Sequence, residues 1–131
     1  MAEVFRFYPE GQTLYVEVLG QEYLKRQPTD PEEAKKFGEG LRPIVASVET
    51  MMRERGMRQV IVLNLKGVGL TTLNPKVATQ LCNFLYTLRS DDESFLDRIE
   101  IQNSNPVFEM LYNQVKRALP KRLTELIQFR D

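Results

Sequence analysis

The chain has 131 residues, 42% hydrophobic and 27% charged, with 18 basic and 18 acidic side chains. A chain of that length suits one soluble domain that buries about two-thirds of its unfolded surface without metals or disulfides. The net charge of +0 gives no general pull toward nucleic acid or acidic membranes, and no apolar run is long enough for a signal peptide or a membrane span.

Val4 to Tyr8 and Thr13 to Leu19 read as strands joined by Pro9-Glu10-Gly11-Gln12. In the second, Leu14, Val16 and Val18 alternate with Tyr15, Glu17 and Leu19, as expected near a sheet edge. Gly20 to Thr29 reads as a polar link. Asp30, Pro31 and Glu33 then offer a cap, a first-position proline and a capping box for a helix. Phe37, Leu41, Ile44, Val45, Val48, Met51 and Met52 follow at helical spacing, a stripe suited to covering a sheet. Gly38, Gly40 and Pro43 interrupt this stripe, so a kink or two shorter helices is expected, ending at Gly56.

The stretch from Gln59 to Leu70 carries the strongest signal. Val60-Ile61-Val62-Leu63 is a continuous apolar run, the mark of a strand buried on both faces in the middle of a helix-covered sheet. Gly67 and Gly69 break that strand, and Asn74-Pro75 opens a helix to about Arg89, with Asp91-Asp92-Glu93 as its solvated exit. Ligands of open α/β sheets collect just past the C-terminal ends of such strands, so this is the expected functional edge. Arg98 to Gln102 reads as another strand, and a helix runs from Pro106 to Leu119, where Pro120 stops it. Leu126 to Phe129 returns as a last strand. The order is ββ-α-β-α-β-α-β: a single α/β domain with a five-stranded mixed sheet and about three helices.

Several chemistries are excluded by what is missing. Without histidine, the commonest general base and the usual triads cannot be assembled. One cysteine, Cys82, leaves no Cys/His zinc site and no disulfide, and points to the reducing cytoplasm. Gly67-Val68-Gly69 lacks the rest of a phosphate loop. No catalysis, cofactor or metal is expected. A basic cluster, Lys116, Arg117, Lys121 and Arg122, surrounds the end of the 106–119 helix. Without interleaved stacking aromatics it does not suggest nucleic acid; a solvated helix end or contact with anionic lipid or acidic protein accounts for it.

The run from Val62 to Leu70, followed by Leu73, resembles the central strand and glycine turn of CRAL-TRIO (Sec14-like) lipid-binding domains. Phe95 to Phe108, a strand running into Asn105-Pro106, and Val115 through Ile127 resemble later parts of that family. Asn64 stands where the family usually has Asp. In the family, the helix matching Pro106 to Leu119 is a mobile gate over a lipid cavity. The resemblance therefore implies Phe108, Leu111, Tyr112 and Val115 as its inward residues, with Lys116 and Arg117 near an anionic headgroup. Stripe geometry alone makes the same residues plain core.

A second resemblance is to STAS domains, such as anti-anti-sigma proteins. Their phosphorylatable Ser falls here at Leu73 or Asn74, leaving Thr71 and Thr72 as candidate phosphorylation sites. Turn hydroxyls of this kind also bond the backbone. The expected function is a non-catalytic binding domain acting through protein contacts as a homodimer, with carriage of a lipid or hydrophobic small molecule as the alternative. The strand edge bearing Phe5, Phe7, Tyr8 and Tyr15 motivates the dimer.

Overall fold

The computed structural model describes residues 4–26, 32, 36, 39–90 and 93–130. Its single sheet follows chain order: β1 Phe5–Glu10, β2 Thr13–Leu19, β3 Arg58–Asn64, β4 Leu96–Gln102 and β5 Ile127–Arg130. β1 and β2 form an antiparallel hairpin, and every later pair is parallel. Helices α1 Gly20–Arg26 and α2 Arg42–Arg55 precede β3, α3 Pro75–Thr87 precedes β4, and α4 Pro106–Val115 and α5 Lys121–Leu126 precede β5. The expected succession of five strands along the chain and the mixed five-stranded sheet are present. The described residues hold five helices rather than the three expected.

Each parallel step moves to the next strand in the same direction, so right-handed crossovers put the helices on one face. There Leu14 packs with Val48 and Met52, while Val16, Val18, Ile61, Leu63, Ile99 and Ile101 pack with Leu81, Leu85, Phe108 and Leu123. β3 lies in the middle, and Val60, Ile61, Val62 and Leu63 are each 0% exposed. Ile61 and Leu63 face the helices. Val60 and Val62 alternate onto the other face, where, among the described residues, neighbouring strands' polar side chains replace a helix layer. Burial on both faces was expected; helices on both faces were not needed to achieve it.

Local signals set several boundaries. The Asn74 side chain accepts from Val77 N–H at 2.9 Å, and Asn105 accepts from Phe108 N–H at 2.8 Å. Each is followed by a proline in the helix's first turn. Gly56 ends α2 in the left-handed region at φ 63.

Three expectations need correction. Gly20 to Thr29 is not simply a polar link, because α1 forms where Tyr23 stacks on Phe84 at 4.3 Å. So short a helix is too costly to nucleate alone and depends on that packing. Pro43 is not interior: the break falls at Leu41, and Pro43 occupies the first turn of α2, where its missing N–H costs no helical bond. The helix from Pro106 ends at Val115 and tightens into a 3₁₀ turn, Lys116–Ala118. After Pro120, α5 buries Leu123 and Leu126 before β5 begins. The proposed Asp30-Pro31-Glu33 cap, Phe37, Gly38, and Asp91-Asp92 lie outside the described residues.

Candidate functional site

Three regions carry polar groups near open space, and their chemistry differs. The first is the helix-free sheet face. Glu17 and Glu100 are each 5% exposed there, and flank Val62 from β2 and β4. Asn64 Nδ2 donates to Glu17 Oε2 at 3.0 Å, with the Arg6 guanidinium 3.5 Å from the other oxygen. Glu100 accepts from Arg98 Nε at 2.6 Å and from Gln102 Nε2 at 3.0 Å. Burial alone would raise the Glu100 pKa, but these hydrogen bonds and the charges of Arg98 and Arg130 outweigh it and hold the carboxyl below its ordinary range. Arg98 is shifted the other way, its own partial burial being overcome by Glu100, Asp97 and Tyr15. The network is satisfied, and among the described residues no cluster of acidic, His or Cys side chains is set to hold a metal. It roofs the sheet.

Asn64 now has a physical account. Its amide nitrogen faces a carboxylate, and its oxygen accepts from Asn103 Nδ2 at 2.8 Å and Lys66 N–H at 3.0 Å. An aspartate would set oxygen against oxygen at Glu17.

The second region is the expected functional edge past β3. A groove of about 370 Å³ lies between α1, at Gln21, Leu24 and Lys25, and the turn containing Gly67 and Gly69. Gly67 has φ +79, a conformation that calls for glycine; a Cβ there would meet only the end of the flexible Gln21 side chain, Oε1 at 2.7 Å, which can move aside. Thr72 Oγ1, on the rim, donates to Gly69 O at 2.6 Å. Thr71 is exposed beside it in the same 3₁₀ turn. Sequence reasoning missed the contribution of α1, whose packing partners are distant in the chain.

The third region lies at the other end of the sheet, where α4 finishes and β5 starts. Phe108, Leu111 and Tyr112 are buried, Phe108 completely, and Val115 is half-buried. The Tyr112 ring meets Phe129 edge-on at 5.4 Å, and burial raises its hydroxyl pKa. Phe108 and Leu111 thus serve the core, whereas Tyr112 lines an open groove of about 540 Å³ with Lys116, Arg117, Leu119, Lys121, Thr124 and Ile127. Of the six residues assigned to ligand binding by resemblance, the structure gathers Tyr112, Lys116 and Arg117 here. It adds Lys121, from the basic cluster, and an apolar floor of Leu119 and Ile127. Leu119, Leu123 and Leu126 recur at helical spacing, which marks α5 but not the floor.

Lys116, Arg117 and Lys121 form no ion pair among the described residues. Lys116 and Arg117 sit just past the C-terminus of α4, where cations offset the helix dipole. Lys121 opens α5 at the positive end of the helix dipole, where a cation gains nothing from it, and the first turn holds no acidic residue to offset it.

No protein-family model and no curated protein sequence matches the chain. The fold is similar to that in the crystal structure of Sfh5, a Sec14-family protein, with a TM-score of 0.55 and 12% identity. The likeness covers 97% of this chain and 46% of Sfh5, so the chain spans less than half that protein's length. At that identity the likeness speaks for architecture: the chain has a CRAL-TRIO-like (Sec14-like) α/β fold.

Proposed function

We propose that this is a non-catalytic binding domain for an anionic amphiphile, such as a fatty acid or an acidic phospholipid, seated in the groove between α4 and α5. The observation that carries the reading is the set of unpaired cations, Lys116, Arg117 and Lys121, bordering an apolar floor. A carboxylate or phosphate would find charge-assisted donors there while its chain lay over Leu119 and Ile127. Each buried CH₂ contributes about 0.8 kcal/mol, so a shallow groove retains a chain by length rather than by enclosure. The Sec14-like fold supports this reading over a protein-contact one, and the ligand lies beside α4 rather than beneath it because Phe108 and Leu111 occupy that space.

The test is titration of delipidated protein with fluorescent fatty acid and with vesicles of acidic or neutral phospholipid. Lys116→Glu with Lys121→Glu should weaken acidic-lipid binding by more than about tenfold, since each such cation contributes about 1 kcal/mol near an anionic surface. Neutral vesicles should bind weakly throughout. Unchanged acidic-lipid binding in the double variant removes the groove from consideration.

A homodimer is the second reading. It rests on β1 and β5, each of which has a strand neighbour on one side only and so leaves a free backbone edge. Light scattering that shows a 15.3 kDa particle at micromolar concentration rules it out.

A further inference from the structure

β1 is one edge of the sheet, and the backbone groups it leaves unpaired can be assigned residue by residue. Leu19 N–H donates to Val4 O at 2.8 Å, which makes Val4 and Leu19 a hydrogen-bonded pair. Antiparallel ladders alternate bonded and non-bonded pairs. In the observed register Arg6, Tyr8 and Glu10 therefore bond inward to β2, while Phe5, Phe7 and Pro9 turn their backbone groups outward. Pro9 fits this phase, because its missing N–H falls on the outer side, where no ladder bond is lost. The free edge thus offers N–H and C=O at Phe5 and Phe7, and C=O alone at Pro9.

The side chains beside this edge are open as well. Phe7 and Ile44 are each 45% exposed and flank a slot between β1 and α2. The slot encloses only about 20 Å³, room for one water, so what can cover Phe7 and Ile44 is a surface rather than a small ligand. On the other side of β1, Arg6 is 63% exposed and its guanidinium lies 6.0 Å from the Tyr8 ring centroid. β5, the opposite edge, has four residues against six in β1, and its exposed Phe129 already packs on Phe108 and Tyr112.

We infer that β1 pairs antiparallel with β1 of a second copy, Phe7 opposite Phe7, so that the two sheets become one continuous sheet. This rests on the homodimer reading and specifies its interface. Phe7 N–H of each copy donates to Phe7 O of the other, and Phe5 N–H of each donates to Pro9 O of the other. The exposed Phe7 rings meet at the two-fold axis beside Ile44, an isologous contact. Arg6 of each copy stands opposite Tyr8 of the other, a guanidinium-to-ring pair like the one already formed within the strand. The neighbouring register, with Phe5 opposite Phe7, would set Arg6 directly against Arg6, which like charges disfavour. The net charge of +0 puts no general repulsion in the way.

The experiment is amide hydrogen exchange on the whole chain over a range of concentrations, with particle mass followed by light scattering. One strand pair is a small interface, so the dimer should dissociate on dilution. Exchange at Phe5 and Phe7 should slow at least about tenfold as the mass rises from 15.3 kDa to twice that, while Arg6 and Tyr8, bonded within the hairpin, change little. Phe7→Lys, at an exposed position, should weaken dimerisation at least about tenfold by replacing the ring pair with opposed like charges. Phe129→Lys, on β5, should not. Tyr8→Lys should weaken the dimer, whereas Tyr8→Glu, facing Arg6 of the second copy, should preserve it. A wild type that stays at 15.3 kDa at micromolar concentration overturns this inference and the homodimer reading together. A dimer whose Phe5 and Phe7 exchange ignores concentration, or which Phe7→Lys leaves intact, overturns the β1 interface alone. Equal losses from Tyr8→Lys and Tyr8→Glu overturn the register.

Discussion

The two faces of this sheet reach the same degree of burial by different means. On one, Ile61 and Leu63 vanish beneath α3 and α4 through apolar packing. On the other, Val60 and Val62 are equally inaccessible, but their cover is a lattice of Arg98, Glu100, Glu17 and Tyr15 reaching across from adjacent strands, with Asn64 of β3 itself bonded into it. The helical face is held by area removed from water, which depends little on pH. The polar face is held by paired charges and hydrogen bonds, whose contribution depends on protonation and on each partner staying in place. Percentage exposure alone does not separate the two.

The largest expected difference comes from truncation. Leu63→Ala should destabilise by about 2–5 kcal/mol, because a close-packed helix layer collapses poorly into the space left. Val62→Ala should cost less, about 1–2 kcal/mol, since long side chains above it can settle downward. Urea unfolding of both variants checks this, and equal losses would mean that the polar roof is as rigid as the helices.

The next effect concerns Asn64. Replacing it by aspartate places a carboxylate 3.0 Å from Glu17 Oε2, where an amide donor now stands. The variant should lose about 1–3 kcal/mol at neutral pH and regain part of it as the pair takes up a proton in acid. A neutral-pH stability equal to wild type would show that the lattice rearranges freely.

The smallest effect is the acid limb set by Glu100. Its folded-state pKa lies below the ordinary glutamate value, about 4.3 in an unfolded chain. The stabilisation is therefore fully present above about pH 4.3 and is lost as pH falls through the lower folded-state pKa. Glu100→Gln should flatten the stability profile in that window and leave the alkaline side unchanged. Chemical denaturation from pH 3 to 7 measures it. An identical acid limb in the variant would remove Glu100 from the acid response.

Much of this was legible in the residues. The Val60–Leu63 run marked the middle strand, Asn74-Pro75 and Asn105-Pro106 marked two helix starts, and Gly56 marked an end. These signals are local: a cap needs its oxygen three residues from an N–H, and a glycine needs only its own φ. α1 escaped notice because Tyr23 finds its partner, Phe84, about sixty residues on. The candidate groove was legible in part. Tyr112, Lys116 and Arg117 lie within one helix and its exit, but Lys121 joins them only through the turn at Pro120.

By itself, the sequence determined the succession of strands along the chain, the helix caps and the absence of histidine chemistry, because periodicity, turn residues and composition act over a few positions. Tertiary structure decided what covers each face of β3. A continuous apolar run says that both sides are dry, not whether the cover is a helix or the stems of Arg98 and Tyr15. It also decided the fate of Gln59, a polar residue that reads as a strand terminus beside Arg58. Only the packing of β1, α2 and Leu88 around it leaves its side-chain oxygen buried without a partner, a juxtaposition of segments far apart in the chain.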